Sequence, residues 1–259
     1  MIVTPPSTEL PTVKDVLGEV PQGSPLAPGL TEFVIARPGD VLTRTVHSRI
    51  YQALVPVTSR SFGADMTPYW MQREREGYME RLAEFVLVAD DNGTMVGWTG
   101  YHRLAFDDFT LIYLDSTGMI PDWQSRGCMR KLMHRRVTGC AIPGCVEEVP
   151  VYLTARTESP IFYRLMRSLL DASNLFPQPA VAPSIDIVRS AVALAKWLGQ
   201  EPLLDTSTLI LRNAYDTLDE LYGDLPVTGD PVLDAMFRDQ LGPLDAYLLV
   251  GRAARGGDS

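Results

Sequence analysis

The sequence predicts a mixed α/β fold in which strands and helices alternate along one large core. Three short apolar runs follow one another between residues 85 and 118, and turn signals separate them. Segments in which apolar residues recur at helical spacing stand before and after these runs. Together the patterns predict the order β-α-α-β-β-β-α-β-α over residues 33–175.

One strand and two helices open this predicted core. Phe33–Ala36 is a short apolar run before a Pro-Gly pair, which predicts a strand. The helical spacing from Val41 to Leu54, with Asp40 as N-cap, predicts a helix that ends at Pro56. A second helix is predicted over residues 67–83, with a proline in its first turn.

Three strands come next, separated by one hairpin signal and one further turn. Asp91-Asn92-Gly93 is a strong hairpin signal between the runs Phe85–Ala89 and Thr94–Arg103. Asp107-Asp108 marks a second turn before the strand Phe109–Gly118. We therefore expect the three strands to be neighbours in one sheet.

A helix, a strand and a helix close the core, and further elements follow. They are predicted at residues 127–138, 149–155 and 160–170, with Thr138-Gly139 ending the first and Pro143-Gly144 in the loop after it. Beyond the core we predict a helix over 184–198 with Ser184 as N-cap, a strand at 208–211, a helix at 231–241 and a late strand at 247–250.

These patterns divide the chain into four parts. Residues 1–30 are rich in Pro, Gly, Ser and Thr and predict an extended or loosely docked arm. Residues 31–175 form the core, and residues 176–246 form an extension that begins with a proline-rich stretch. Residues 247–259 supply a final strand and a tail that we expect to be disordered.

The composition excludes several classes of protein. Of the 259 residues 46% are hydrophobic, which is enough for a sizeable core. The formal net charge of −9 argues against a general nucleic-acid binder, which usually carries a basic face. No apolar run has the length of a transmembrane helix and no secretory signal is visible. We therefore expect a cytoplasmic protein with no nucleic-acid or membrane partner.

The cysteines and histidines predict neither a disulfide framework nor a metal site. They are Cys128, Cys140, Cys145, His47, His102 and His134. Three cysteines are too few for a framework, and their spacing to each other and to the histidines is not a common zinc pattern. Cys128 stands at a predicted helix start, where a thiol pKa can fall, so it is either a reactive thiol or a small packing residue.

The segment from Met119 to Arg130 is the strongest functional signal in the sequence. It joins an apolar strand to a helix through a polar turn that contains Gly127. The first amides of a helix have no intrahelical acceptor, and the positive end of the helix dipole lies there. Such a junction either binds an anion, most often phosphate, or is an ordinary connection.

The order of elements and this turn together resemble the GNAT superfamily of acyl-CoA-dependent N-acyltransferases. That family follows an apolar strand end and a proline with the motif Gln/Arg-x-x-Gly-x-Gly/Ala. Pro121, Gln124 and Gly127 match the family in identity, and Met119, Asp122 and Trp123 match it in type. Met129 departs from it, because a small residue is usual at that position. Its side chain either crowds the loop or packs into the core.

The resemblance implies a mostly antiparallel central sheet flanked by helices, with extra C-terminal elements here. It also implies acetyl-CoA or another acyl-CoA as cofactor, with the pyrophosphate on the turn and the thioester arm along the strand end. The residues that it assigns to cofactor binding are Gly118, Met119, Gln124, Ser125, Arg126, Gly127, Cys128, Met129 and Arg130.

Two catalytic candidates follow from the same resemblance. A tyrosine on the helix after the next strand often protonates the departing thiolate in the family, and Tyr163 occupies that helix here. Asp115, on the strand that leads to the turn, is the positional candidate for the base. The structural alternatives are a half-buried aromatic for Tyr163 and a hydrogen-bonded strand carboxylate for Asp115.

The implied function is the direct transfer of an acyl group, most simply acetyl, from CoA to a small-molecule amine. Two alternatives stay open: a non-catalytic acyl-CoA-binding or regulatory module, and GNAT-like chemistry on an acyl thioester held by a carrier protein. The extension over residues 176–246 could cover the acceptor site, lengthen the sheet or build a contact between two copies in a homodimer.

Overall fold

The computed structural model describes residues 9–19, 21–137, 149–170 and 172–253. Several predictions lie outside these ranges. They are the first eight residues of the arm, the helix end at Thr138-Gly139, the loop at Pro143-Gly144, Cys140, Cys145 and the tail from 254 to 259. Within the described ranges no helix combines the length and the apolarity that crossing a membrane requires.

The chain forms two compact units whose residues alternate along the sequence. The first unit comprises residues 1–101 and 116–131, and the second comprises 102–115 and 132–259. Two strands and one helix contribute residues to both units. They are β4 (Met95–Ala105), β5 (Thr110–Met119) and α6 (Cys128–Val137).

An antiparallel sheet forms the centre of the first unit. Its strands β1 (Ser24–Ala27), β2 (Leu30–Ala36) and β3 (Glu84–Asp90) pair in that order, and β3 pairs with β4. Every residue of β3 except the last is buried, as expected for a strand covered on both faces. The predicted hairpin at Asp91-Asn92-Gly93 is present, with Gly93 at a positive φ of 78°.

Among the described residues, five helices lie wholly within the first unit. They are α1 (Val13–Leu17), α2 (Pro38–Val41), α3 (Arg44–Phe62), α4 (Thr67–Arg75) and α5 (Tyr78–Arg81). Trp70 of α4 is almost fully buried and donates its indole N–H to the Thr58 hydroxyl of α3 at 2.9 Å. This buried contact fixes α4 against α3.

The predicted ends of these helices were partly wrong. Pro56 does not end the first long helix, because α3 continues through it to Gly63 and begins behind Thr43 rather than Asp40. Burial of Val57 and Thr58 beyond the proline outweighs the loss of one helical hydrogen bond. The helix predicted over 67–83 is two helices, because Gly77 takes a left-handed conformation between them.

Over its described residues, the N-terminal segment forms a short helix that contacts the first unit. Thr12 and Asp15 form a capping box at the start of α1, and Val13 and Val16 of that helix are buried. The amide of Met95 donates to the carbonyl of Pro11 at 2.8 Å. These contacts attach the segment to the first unit.

The second unit is a mixed sheet covered by three helices. Its strand β6 (Val151–Thr157) pairs in parallel with β5 and antiparallel with β10 (Ala246–Arg252). Three short strands extend this sheet: β7 (Leu175–Phe176) and β9 (Ile210–Leu211) pair with β10, and β8 (Leu204–Asp205) pairs with β9. The helices are α7 (Pro160–Leu169), α8 (Ile185–Trp197) and α9 (Pro231–Gln240).

The predicted fold class is confirmed. The sheets are mostly antiparallel, with one parallel pair between β5 and β6, and helices flank them. The extension lengthens the sheet, because β9 and β8 continue the pairing from β10. Lengthening the sheet is one of the three roles that the sequence left open for it.

Candidate active site

The turn between β5 and α6 has the conformation that the motif predicts. A single 3₁₀ turn over Pro121–Trp123 follows the strand, and its amides bond to carbonyls within the turn. Ser125 and Gly127 then adopt left-handed conformations with φ of 60° and 72°. Backbone in this alternation of conformations can form a concave set of N–H groups, which is a common phosphate-binding geometry.

Helix α6 presents its first amides to this turn. The amide of Lys131 donates to the carbonyl of Gly127 at 3.0 Å, which closes the first helical turn. The amides of Cys128, Met129 and Arg130 precede that bond and have no acceptor within the helix. They lie at the positive end of the helix dipole, so an anion placed there is stabilised by charge and by hydrogen bonds.

The strand end beside the turn is tightly fixed. The Gln124 amide nitrogen donates to the carbonyl of Met119 at 2.6 Å, so this predicted site residue holds the turn against the end of β5. A Cβ at Gly118 would lie 2.3 Å from the Trp98 ring, so only glycine fits there. Gly118 and Met119, predicted to contact a thioester arm, therefore form a close-packed strand end.

The remaining loop residues give the turn an accessible cationic surface. Arg126 lies over the Trp123 ring, with its guanidinium carbon 4.7 Å from the ring centre. Arg130 is exposed, Met129 is half-buried and Cys128 is buried. Burial of the Cys128 thiol, whose contact with the Arg126 carbonyl is 3.9 Å long, matches its interpretation as a packing residue.

Asp115 lies in the second unit, in a buried polar cluster. Its Oδ2 atom is 3.2 Å from Nε2 of His102, and both side chains are at most 3% exposed. The His102 ring stacks on Tyr113 and also contacts Trp197 of α8, with ring centres 5.8 and 4.8 Å apart. The cluster thus pairs an acid with an imidazole under an aromatic cover.

Sequence reasoning did not find His102 as a partner of Asp115. The two residues stand on neighbouring strands β4 and β5, so their contact depends on the hairpin register rather than on local spacing. The sequence predicts only a turn at Asp107-Asp108, and a turn by itself does not fix which residues of the two strands face one another.

A hydrogen bond from the Tyr163 hydroxyl fixes this side chain within the second unit. Tyr163 lies on α7, whose N-cap Ser159 accepts a hydrogen bond from the amide of Phe162. The Tyr163 hydroxyl donates to the carbonyl of Pro177 at 2.8 Å, and its ring packs edge-on against Phe237. Burial raises the pKa of Tyr163 above its usual value, and Arg167 opposes that shift.

The site residues therefore form three groups with separate partners. The turn from Gln124 to Arg130 is one group in the first unit, and the Asp115–His102 pair and Tyr163 are two groups in the second. Among the described residues, no cluster of His, Cys, Asp and Glu side chains could hold a metal ion.

A protein-family model matches part of the chain. Residues 48–165 match the model of the acetyltransferase (GNAT) family, a range that contains the turn, Asp115 and Tyr163. No protein among those with curated functions matches the chain.

Several solved structures resemble the chain at low identity. A GNAT family acetyltransferase from Elizabethkingia anophelis with acetyl-CoA bound has a TM-score of 0.40 and 9% identity, over 87% of this chain and 99% of that one. The protein YhbS from Escherichia coli in complex with CoA has a TM-score of 0.34 and 13% identity, over 54% and 69%. A variant of the spermidine N-acetyltransferase SpeG from Vibrio cholerae has a TM-score of 0.34 and 13% identity, over 56% of this chain and 80% of that one.

The order of the strands, the turn that leads into α6 and the family match agree with one another. Over residues 48–165, which is less than half of the chain, the sequence is similar to the acetyltransferase (GNAT) family.

Proposed function

We propose that this protein transfers an acyl group, most simply acetyl, from a CoA thioester to a small-molecule amine. The observation that carries the proposal is the turn from Gln124 to Arg130, with left-handed Ser125 and Gly127 ahead of the first amides of α6. A pyrophosphate is a dianion that these amides and the arginine side chains suit in both charge and hydrogen bonding.

In the proposed reaction the amine nitrogen attacks the thioester carbonyl carbon, the carbon–sulfur bond breaks, and the thiolate takes up a proton. Tyr163 is the proposed donor of that proton, and the Asp115–His102 pair is the proposed acceptor of the proton that the amine loses. Both assignments are supported by burial, because a low-dielectric surrounding strengthens the interactions that tune proton transfer. Positioning of two bound reactants supplies much of the rate in such a direct transfer.

A second candidate function is a binding module that holds acyl-CoA without turnover. The observation that favours it is that the Tyr163 hydroxyl already donates to Pro177 and the Asp115 carboxylate already contacts His102. A catalytic role requires these bonds to exchange during the reaction, whereas a binding module keeps them.

Titration calorimetry with CoA and acetyl-CoA tests the proposed cofactor site. We expect Gly127→Ala to weaken binding by at least about tenfold, because it places a side chain where the phosphates approach and strains a positive φ. The matched control is Gly199→Ala, which carries the same backbone strain at a φ of 73° just after α8, outside the turn, and should bind normally. Equal affinity of the two variants, or no binding by the wild type at millimolar ligand, contradicts the proposal.

A thiol-release assay across a panel of primary amines then separates the two functions. An acyltransferase releases CoA in an amine-dependent manner, and the acylated amine appears in equal amount. A protein that binds acetyl-CoA but releases no thiol with any amine of the panel is the binding module.

A further inference from the structure

A cavity of about 310 Å³ lies within the second unit, at the C-terminal end of β6. Glu158, the residue that follows β6, lies on its wall together with the C-terminal part of α9 and the segment from 219 to 225. Leu221, Leu225 and Phe237 contribute apolar surface. The cavity is therefore an apolar space into which one strand end brings a carboxylate.

The Glu158 carboxylate is buried without a protein partner. The residue is only 9% exposed, and within the described parts of the chain its side chain makes no hydrogen bond and no ion pair. Burial, and then the charge of Asp245, raise the pKa of Glu158 to about 7. A buried carboxylate costs free energy unless it is paired, so this group lacks a counter-charge that a ligand can supply.

Nearby charged groups do not supply that counter-charge. Asp245 is itself bonded to Arg212 at 2.6 Å and to the amides of Asn213 and Gly242 at 2.8 and 2.9 Å. Arg238 lines the cavity, but its guanidinium bonds to Asp239 at 2.8 Å. Arg212 and Arg238 are thus each paired with another carboxylate, that of Asp245 and that of Asp239.

The rest of the lining is also acidic. Asp219 and Glu220 are exposed residues that line the same cavity. With Glu158 they give three carboxylates around one apolar space, against the single guanidinium of Arg238. Clefts lined with one sign of charge concentrate ligands of the opposite sign.

We propose that this cavity binds an organic ammonium ion with an apolar body, and that the Glu158 carboxylate accepts hydrogen bonds from its nitrogen. Leu221, Leu225 and Phe237 would contact the apolar body, and Asp219 and Glu220 would attract the cation to the entrance. The binding site stands on its own geometry, while its identification as the acceptor site for acyl transfer rests on the proposed function.

The proposal also sets the pH dependence of binding. A primary alkylamine keeps its proton up to about pH 10, as a lysine side chain does, so the ligand stays cationic across the neutral range. Glu158 loses its proton near pH 7, and the charge of Asp245 acts on it directly. Asp219, Glu220 and Arg238 line the same cavity, and Glu158 also interacts electrostatically with Tyr215, whose ring packs against Arg156. Affinity should therefore rise between pH 6 and pH 8.

Calorimetry with 1-hexylamine, in the absence of CoA, tests the site. We expect the full-length protein at pH 8 to bind hexylamine at least about tenfold more tightly than hexan-1-ol, which has the same chain and no charge. Glu158→Gln keeps the shape and removes the charge, so it should abolish this preference and the rise with pH. Glu201→Gln is the matched control, because Glu201 is exposed and lies outside the cavity.

Equal affinity for the amine and the alcohol overturns the proposal, as does a Glu158→Gln variant that binds hexylamine like Glu201→Gln. The wild-type comparison of the two ligands decides the question even where the variant does not fold. Because these titrations contain no CoA, a negative result would count against the amine site alone and not against the cofactor site. If hexylamine binds but no thiol is released, the proposed amine-binding site is supported and acyl transfer to this ligand is refuted.

Discussion

At the scale of single residues, two of the buried carboxylates of the second unit lie in opposite surroundings. Asp115 contacts the His102 imidazole under the rings of Tyr113 and Trp197, so a partner shares its charge. Glu158 faces an apolar cavity and has no such partner in the described residues. Environments that separate two carboxylates in this way suit them to different roles, which is why we assign one to proton transfer and the other to ligand binding.

The unpaired state of Glu158 predicts a measurable pH dependence of stability. The unfolded chain releases this proton near pH 4.5, whereas the folded chain holds it to about pH 7. Folding therefore binds a proton in that window, and the free energy of unfolding falls as pH rises through it. Relative to Glu158→Gln, we expect the wild type to lose up to about 3 kcal/mol between pH 4.5 and pH 7.

Urea unfolding of both proteins at several pH values measures this difference. The variant lacks the titrating group, so its stability should change less over the window, and it should be the more stable protein at pH 8. A constant difference between the two proteins from pH 4.5 to pH 8 would show that Glu158 titrates normally.

Tyr163→Phe tests the proposed proton donor. Removal of the hydroxyl should lower kcat for thiol release by about 100-fold or more, which is the typical contribution of a positioned acid, with little change in Kd for acetyl-CoA. Tyr247→Phe is the matched control, because Tyr247 is also buried beside Phe237 and its hydroxyl also donates to a backbone carbonyl, that of Met236. Similar kcat values for the two variants would remove Tyr163 from the mechanism.

Sequence patterns describe local structure best where the residues of a candidate site form one contiguous stretch. Gln124 and Gly127 belong to one turn, so their backbone conformation and contacts follow from local spacing. His102 and Glu158 depend on non-local placement: one faces Asp115 across a hairpin, and the other reaches a cavity built by α9 and the segment 219–225. Spacing along the chain holds no information about such contacts.

At the scale of elements, local signals placed most helices and strands close to their observed bounds. Helix α8 begins after Ser184 as predicted, because an N-cap side chain fixes a start within one or two residues. The main error was at Pro56, where tertiary burial keeps α3 helical through a residue that disfavours helix. Intrinsic helix propensity determines where a helix ends only if tertiary packing does not outweigh it.

Helix α9 should depend on its cap more than α8 does. Asp230 accepts hydrogen bonds from the amides of Val232 and Leu233 at 3.0 and 3.3 Å, and its charge lies at the positive end of the helix dipole. Ser184 accepts one bond, from Ile187 at 3.5 Å. We expect Asp230→Ala to cost about 1–2 kcal/mol of unfolding free energy, and Ser184→Ala less than about 1 kcal/mol.

Denaturant unfolding measures both losses, and hydrogen exchange locates them. The amides of α9 should lose protection in Asp230→Ala, while those of α8 should not. If Ser184→Ala proves the more destabilising substitution, the cap geometry does not govern the stability of these helices.

At the scale of the whole molecule, the extension belongs to the second unit's core. Strand β10 pairs with β6 from Tyr247↔Thr157 to Arg252↔Tyr152, and its residues from Ala246 to Val250 are 0% exposed. Arg156 of β6 donates to Gln200 and to the carbonyl of Ala214 at 2.7 and 2.9 Å. The sequence divided core from extension near residue 175, but hydrogen bonding joins β6 to residues beyond that point.

A fragment of residues 1–175 should therefore fail to fold cooperatively. It would expose one edge of β6 and the apolar surface that β10 covers, and exposed strand edges with apolar faces promote aggregation. We expect the fragment to bind a hydrophobic dye and to unfold without a sigmoidal transition, whereas the full chain unfolds cooperatively. Co-expression with residues 176–259 should restore folding, because it returns the partner of β6. A fragment that unfolds cooperatively on its own would show that the core is complete without β10.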